Sequence, residues 1–113
     1  MVIRIVSAPK GWTIDPAYKY IGRQRTIEGV AFSGYFGNPV IRGQKCPICD
    51  GIHKDGGSTL QCYEVWLRNR IFIDPVYRES VKKLEGKILV CFCKPAPCHG
   101  DVLEKVCQEL NKE

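Results

Sequence analysis

Long apolar runs are missing from this sequence of 113 residues. No stretch approaches the roughly 20 consecutive apolar residues that a membrane-spanning helix requires. The opening residues, MVIRIVSAPK, also lack the apolar segment of a secretory signal peptide. These absences argue against a membrane protein, and they lead us to expect a protein of the cytosol.

Blocks of like charge, internal repeats and low-complexity tracts are missing as well. The chain has 17 Lys and Arg against 12 Asp and Glu, which gives a formal net charge of +5, but its basic residues are scattered. That charge is compatible with a phosphate-bearing partner and equally with a mildly basic surface, so it does not decide between them. The length is typical of one domain, and we expect residues 1–113 to form a single unit with a core of its own. The sequence carries no signal for an oligomeric state.

Cysteine, in contrast, is abundant, with seven in this short chain. An odd number of cysteines without a secretion signal does not favour a framework of disulfides. In a cytosolic chain such residues more often bind metal or take part in chemistry.

Strand and helix patterns occur in an order that predicts an α/β fold with a small, mostly parallel or mixed sheet. Strands are predicted at 2–6, 19–23 and 87–93, and the last, KILVCFC, is apolar on both faces, as in a strand covered on both sides. Helices are predicted at 59–70, capped by Ser58, from Pro75 to Gly86, and over 99–110. The glycines between 29 and 43 indicate turns with positive φ or close backbone approach.

The segment 44–57, QKCPICDGIHKDGG, has almost no apolar residues to bury. We expect a metal to hold it, with Cys46, Cys49, His53 and Cys62 as four ligands of a structural zinc ion. Binding free energy would then replace the missing core, and residues 43–62 would be a zinc-binding insertion. Asp50 or a cysteine of a second cluster could close the site in place of Cys62, and an exposed loop with idle cysteines is the simpler alternative.

A second cysteine cluster surrounds the turn that precedes the last helix. Cys91 and Cys93 are two apart on a strand, and Cys98 and His99 follow a turn with two prolines. A helix N-terminus lowers the pKa of a thiol and attracts anions. We therefore predict a solvent-facing active region with Cys98 as nucleophile or polarising group, His99 as proton carrier and Asp101 as cap or orienting group; a purely structural turn is the alternative.

The run LVCFCKPAPCHGDVL, 89–103, resembles the signature of a family of small bacterial and phage proteins known as domain of unknown function 4326. YIGR at 20–23, GNPV at 37–40 and CYEVWL at 62–67 are similar to that family's other blocks, in the same order. The resemblance implies a small Rossmann-like, three-layer α/β domain and no established reaction. The family usually has a plain loop before the first helix, so the cysteine-histidine segment here is interpreted as an insertion. Val40 replaces the commoner Phe.

Our first functional hypothesis is a small α/β enzyme or binding protein for a nucleotide-like or nucleic-acid-derived ligand. Gly22 and Gly37 would let the backbone approach the ligand, and Arg23 would pair with its phosphate or carboxylate. Asn38 would contact a base or sugar, and Lys94 would lie at the mouth of the site. For a catalytic role, transfer or hydrolysis at a glycosidic or acyl centre is the class to test first.

Two other functional classes fit the same residues. The first is a non-catalytic, zinc-stapled module of phage or mobile-element origin that grips nucleic acid or a protein through Lys45, His53 and Lys54. The second is a compact metal-handling protein in which the cysteines and histidines form two metal sites, with an iron–sulfur cluster as a variant.

Overall fold

The computed structural model describes residues 2–55, 57–91 and 98–113 of the chain. Within these ranges the protein forms five strands and three α-helices, so the α/β class is confirmed. The strands are β1 (Val2–Arg4), β2 (Tyr18–Tyr20), β3 (Arg25–Ile27), β4 (Val30–Phe32) and β5 (Ile88–Cys91). The helices are α1 (Leu60–Ile73), α2 (Pro75–Lys82) and α3 (His99–Asn111). In this part of the chain, no helix has the length and apolar character to span a bilayer.

Strand β5 is the centre of a three-stranded parallel sheet in the order β1-β5-β2. Leu89, Val90 and Cys91 are all buried, which confirms the strand predicted to be covered on both faces. In parallel strands the carboxyl ends share one edge of the sheet. Arg4, Ile21 and Cys91 therefore mark the edge at which α/β proteins usually bind ligands.

Helix α3 packs on one face of this sheet, the three helices pack on one another, and together they form the main core. Helix α2 begins where predicted, because the carboxylate of Asp74 accepts hydrogen bonds from the N–H groups of Val76 and Tyr77, both at 3.1 Å. Pro75 occupies the first helical position, where a missing N–H costs nothing.

The opposite face is covered by an aromatic cluster that the sequence reasoning missed. Strands β3 and β4 form a hairpin whose two turn residues, Glu28 and Gly29, have φ of 50° and 80°. Two consecutive left-handed residues make the tight turn that matches the twist of a hairpin. The hairpin delivers Phe32 to Trp12 and Tyr20, with ring centroids 5.9 and 5.0 Å away.

The start of α1 differs from the prediction. Ser58 does not cap the helix, because it lies in a 3₁₀ turn, Gly57–Thr59, that runs directly into α1. Its backbone N–H instead donates to the Asp55 carboxylate at 2.7 Å, and its hydroxyl donates to the Asp55 carbonyl at 3.0 Å. The predicted cap residue therefore stabilises the loop before the helix.

Gly34 offers a test of the packing between the hairpin and the loop that follows it. Its φ is +74°, and a Cβ there would lie 2.4 Å from the backbone nitrogen of Gln24. We expect Gly34→Ala to lower the free energy of unfolding by about 2–4 kcal/mol, as left-handed strain adds to the clash. Urea unfolding measures the loss. Gly11→Ala is the matched control, since Gly11 has φ +83° with open space around it, and equal losses would contradict the packing argument.

Candidate functional site

A tight turn built by the backbone presents Cys46 and Cys49. The N–H of Cys46 donates to the Gly51 carbonyl at 2.7 Å, and the N–H of Asp50 donates to the Cys46 carbonyl at 3.0 Å. Asp50 adopts a left-handed φ of 64°, which an aspartate tolerates better than most residues. These bonds fold the CPICDG sequence back on itself, so its two sulfurs lie close together.

The four residues predicted as metal ligands are brought together by this turn, the following loop and α1. One ligand atom from each of Cys46, Cys49, His53 and Cys62 lies within 4.8 Å of all the others. Cys62 comes from the first turn of α1 and packs with Cys46 and Val40 in a small buried cluster. In the described part of the chain, this is the one cysteine-histidine-carboxylate group that could hold a metal ion.

The geometry of the donor atoms fits a tetrahedral ion. Zn–S bonds of about 2.3 Å and Zn–N bonds of about 2.05 Å at a tetrahedral angle separate the two donors by about 3.6 Å. The distance between Cys49 Sγ and His53 Nε2 is 3.6 Å. Asp50 does not join the group, since its exposed carboxylate lies 3.9 Å from the Lys45 ammonium. Four protein donors would close the coordination sphere, which is typical of a structural site.

A second hydrogen bond sets the tautomer that His53 needs as a ligand. Its Nδ1 lies 3.2 Å from the Ser58 hydroxyl oxygen, whose own hydrogen is directed to the Asp55 carbonyl. The hydroxyl can therefore only accept, so Nδ1 carries the proton and donates it. This leaves the lone pair on Nε2, the atom that faces Cys49.

The electrostatics of the thiols would favour a bound cation. Burial raises the pKa of Cys46, but the N–H groups of Cys49 and Ile48 and the side chains of His53 and Cys62 outweigh it and lower the pKa to about 6. Burial and the neighbouring thiols raise the pKa of Cys62 to about 11. Ionisation of Cys46 is thus favoured, and ionisation of Cys62 beside it is opposed. A soft cation would offset the repulsion between the two negative charges.

The second cluster is organised as the cap of α3. The Cys98 sulfur accepts a hydrogen bond from the Gly100 N–H at 3.3 Å, and the Asp101 carboxylate accepts one from the Cys98 N–H at 3.3 Å. This reciprocal pair is a capping box with a cysteine in place of serine. The sulfur of Cys91 lies 3.0 Å from that of Cys98. Asp101 therefore caps the helix, which is one of the two roles predicted for it.

His99 points into the protein. Its Nε2 donates to the Ile21 carbonyl at 2.7 Å, because a carbonyl can only accept, and its Nδ1 lies 3.8 Å from the Cys98 sulfur. The Tyr63 ring meets the imidazole edge to face at 5.3 Å. Burial lowers the pKa of His99 below its usual range, although the Ile21 hydrogen bond opposes the shift. The ring is therefore neutral at pH 7.

The expectation that Cys98 and His99 face solvent is wrong. Cys98 has 0% of its surface exposed and His99 has 6%. The reason is the Ile21 carbonyl at the end of β2, which binds the imidazole from below the helix, together with apolar neighbours around the sulfur. Their catalytic role stays a prediction.

The predicted ligand-binding residues lie together but bond to one another. The Arg23 guanidinium donates to the carbonyls of Asn38 and Val40 at 3.0 and 3.1 Å. The Asn38 amide donates to the Thr59 hydroxyl at 3.0 Å and accepts from the Val40 N–H at 2.9 Å.

The two predicted glycines belong to the same region. A Cβ on Gly37 would lie 3.0 Å from the Gly22 carbonyl oxygen, so Gly37 permits two backbone segments to approach each other. A Cβ on Gly22 would instead clash with the Tyr20 ring. A ligand role for them stays a prediction. Lys94, Cys93 and the two-proline turn lie outside the described residues.

The sequence reasoning missed a cleft of about 670 Å³ beside β2. None of the predicted site residues lines it. The available signal was the spacing of aromatic and lysine residues in YKY, 18–20, and KKLEGK, 82–87, which pattern reasoning assigned to a strand and a helix end.

The family model of a domain of unknown function (DUF4326) matches residues 6–109. An uncharacterized 12.4 kDa protein from the nrdA-td intergenic region of Enterobacteria phage T4 is 32% identical over 65 residues. That match covers 55% of this chain and 60% of the phage protein. No solved structure matches the chain.

Proposed function

This chain belongs to the DUF4326 family, and we propose that it is a zinc-binding, Rossmann-like α/β domain that binds a nucleotide-like or nucleic-acid-derived ligand. Residues 43–62 are proposed as its zinc-binding insertion. The cytosol is the proposed compartment, because thiolate ligands are retained in a reducing environment.

One observation carries the metal proposal: three sulfurs and one imidazole nitrogen lie within 4.8 Å of one another on a loop with little apolar content. Thiolate and imidazole donors in a tetrahedral set favour zinc over magnesium or calcium, which prefer oxygen. When bound, the ion would neutralise the thiolates and cross-link the loop to α1. Cys46, Cys49, His53 and Cys62 would hold it.

The ligand is proposed to bind at the start of α3. The carboxyl ends of β2 and β5 meet there, and an N-terminal helix end favours negative charge. Cys98 Sγ and the neutral His99 Nδ1, 3.8 Å apart, have the chemistry of a nucleophile and a proton acceptor.

A second candidate is a non-catalytic interaction module that uses the metal loop. Three isoleucines in this region, at 41, 48 and 52, are 38%, 37% and 64% exposed. Lys45 lies among them with a side chain that is 74% exposed. Exposed apolar and basic side chains on a metal-stapled loop suit a protein or nucleic-acid partner. Strongly salt-dependent nucleic-acid binding that disappears with the metal would favour this candidate.

Native mass spectrometry with metal analysis of the freshly purified protein tests the main proposal. We expect bound zinc together with a co-purified nucleotide-like molecule. Cys98→Ala is expected to keep the zinc and lose the molecule bound at the start of α3, and the matched variant Cys107→Ala is expected to keep both, because Cys107 lies on α3 away from its start. Protein without zinc would contradict the metal site, and full ligand retention by Cys98→Ala would contradict the proposed binding site.

A further inference from the structure

The cleft beside β2 has the size and lining of a ligand site. Its volume of about 670 Å³ lies within the range of small-molecule pockets. It lies between the 3₁₀ turn Trp12–Ile14, the edge strand β2 and the C-terminal end of α2. None of these elements belongs to the metal loop or to the start of α3.

The lining carries an excess of positive charge. The cleft is lined by three ammonium groups and one carboxylate: those of Lys19, Lys83, Lys87 and Asp15. The Asp15 carboxylate accepts a hydrogen bond from the Ala17 N–H at 2.9 Å and so helps to build the turn. Within the described ranges, no salt bridge joins any of the three lysines to an acid. Such a group of cations attracts a ligand with more than one negative charge.

Hydrogen bonding leaves these lysines able to donate. Lys87 donates to the Pro16 carbonyl at 2.6 Å, which holds its ammonium at the wall of the cleft. An ammonium has three N–H donors, so two remain for a ligand. Lys19 lies above the Phe36 ring, 5.9 Å from its centroid, which orients a flexible side chain over the cleft floor.

Aromatic rings form the rest of the lining. Trp12 and Phe36 are 4% exposed and form the floor. Tyr18, Phe32 and Tyr35 retain exposed surface, and Tyr35 is 42% exposed. Exposed ring faces beside cations suit a planar base, because every nucleobase offers a π-face for stacking.

We infer that this cleft binds a nucleotide, with its phosphates among the three lysines and its base on the exposed tyrosines. The inference does not rest on the proposed function, because none of the residues proposed at the start of α3 lines the cleft. It goes beyond that function by giving the chain a second anion-binding surface, beside β2.

Isothermal titration calorimetry of the full chain with ADP, adenosine and inorganic pyrophosphate tests the inference. ADP is expected to bind more tightly than either fragment, and more weakly at high salt. Lys19→Gln and Lys83→Gln are each expected to weaken ADP binding about tenfold, as each removes a charged hydrogen bond to phosphate. Lys112→Gln removes the same charge from the end of α3 and is expected to leave binding unchanged.

Tyr35→Ala distinguishes binding of the base from binding of the phosphates. It is expected to weaken ADP binding and leave pyrophosphate binding unchanged. The inference is overturned if ADP does not bind, if the cleft lysine variants bind it as the wild type does, or if only oligonucleotides bind. Cys98→Ala distinguishes the two sites, since it leaves cleft binding intact; loss of ADP binding in that variant alone would assign the nucleotide to α3 and not to the cleft.

Discussion

Cys49→Ser is expected to abolish zinc binding and to lower the midpoint of thermal unfolding by more than about 10 °C. Cys49 is exposed, so the change itself disturbs little packing. Its sulfur, however, lies 3.6 Å from His53 Nε2 inside the four-donor group. Without the ion, the loop has few buried apolar side chains to hold it. Metal analysis and differential scanning calorimetry measure the two effects.

Cys107→Ser is the matched control for this change. Cys107 is buried on α3 and remote from the loop, so its replacement should leave the zinc content unchanged. A chelator added to the wild type should reproduce the low midpoint, and it should have no effect on Cys49→Ser. If chelation removes zinc without changing the midpoint of thermal unfolding, the ion does not stabilise the fold. Another interaction must then hold residues 43–62 in place.

The clustering of the four candidate metal ligands was predictable because most of their geometry is local. Three of the four residues lie within eight positions of one another: Cys46, Cys49 and His53. The turn that presents the two cysteines is held by backbone hydrogen bonds within the CPICDG segment. Cys62 was harder to assign, since its position depends on where α1 begins. Its sulfur joins the group because the 3₁₀ turn Gly57–Thr59 sets the phase of the helix.

The hairpin β3–β4 shows where pattern reasoning failed. Arg25–Ile27 and Val30–Phe32 are only three residues each, and Glu-Gly is a weaker turn signal than Asn-Gly. The glycines were correctly predicted to form turns with positive φ. The strands between these turns were too short to show a recognisable sequence pattern. Their packing on Trp12 depends on tertiary contact.

The direction of a side chain at a helix start was also beyond the sequence. Local signals placed His99 correctly at the beginning of α3. Its inward orientation depends on the Ile21 carbonyl, which is 78 positions away in sequence. Arg23 and Asn38 show the same limit, because the sequence did not reveal that both bond to the chain around residue 40. Their ligand role stays a prediction.

His99→Ala is expected to lower the free energy of unfolding by about 3–5 kcal/mol. It opens a cavity beside Tyr63 and leaves the buried Ile21 carbonyl without its donor. His99→Gln keeps an N–H at a similar reach and is expected to lose about half as much. Urea unfolding at neutral pH measures both. Equal losses would show that the cavity alone sets the cost.

A comparison of the wild type with His99→Gln tests how His99 contributes to acid sensitivity. Its pKa is lowered in the folded state from an ordinary value of 6.5, so the unfolded chain takes up the proton first as the pH falls. The stabilising contribution is therefore complete above about pH 6.5 and declines as the pH drops toward the folded pKa. His99→Gln lacks this titration, so its stability should fall less than that of the wild type between about pH 7.5 and about pH 5. Both proteins keep the metal loop, so the difference between their slopes belongs to His99. Parallel slopes would mean that the imidazole is as easily protonated in the fold as outside it, which its burial argues against.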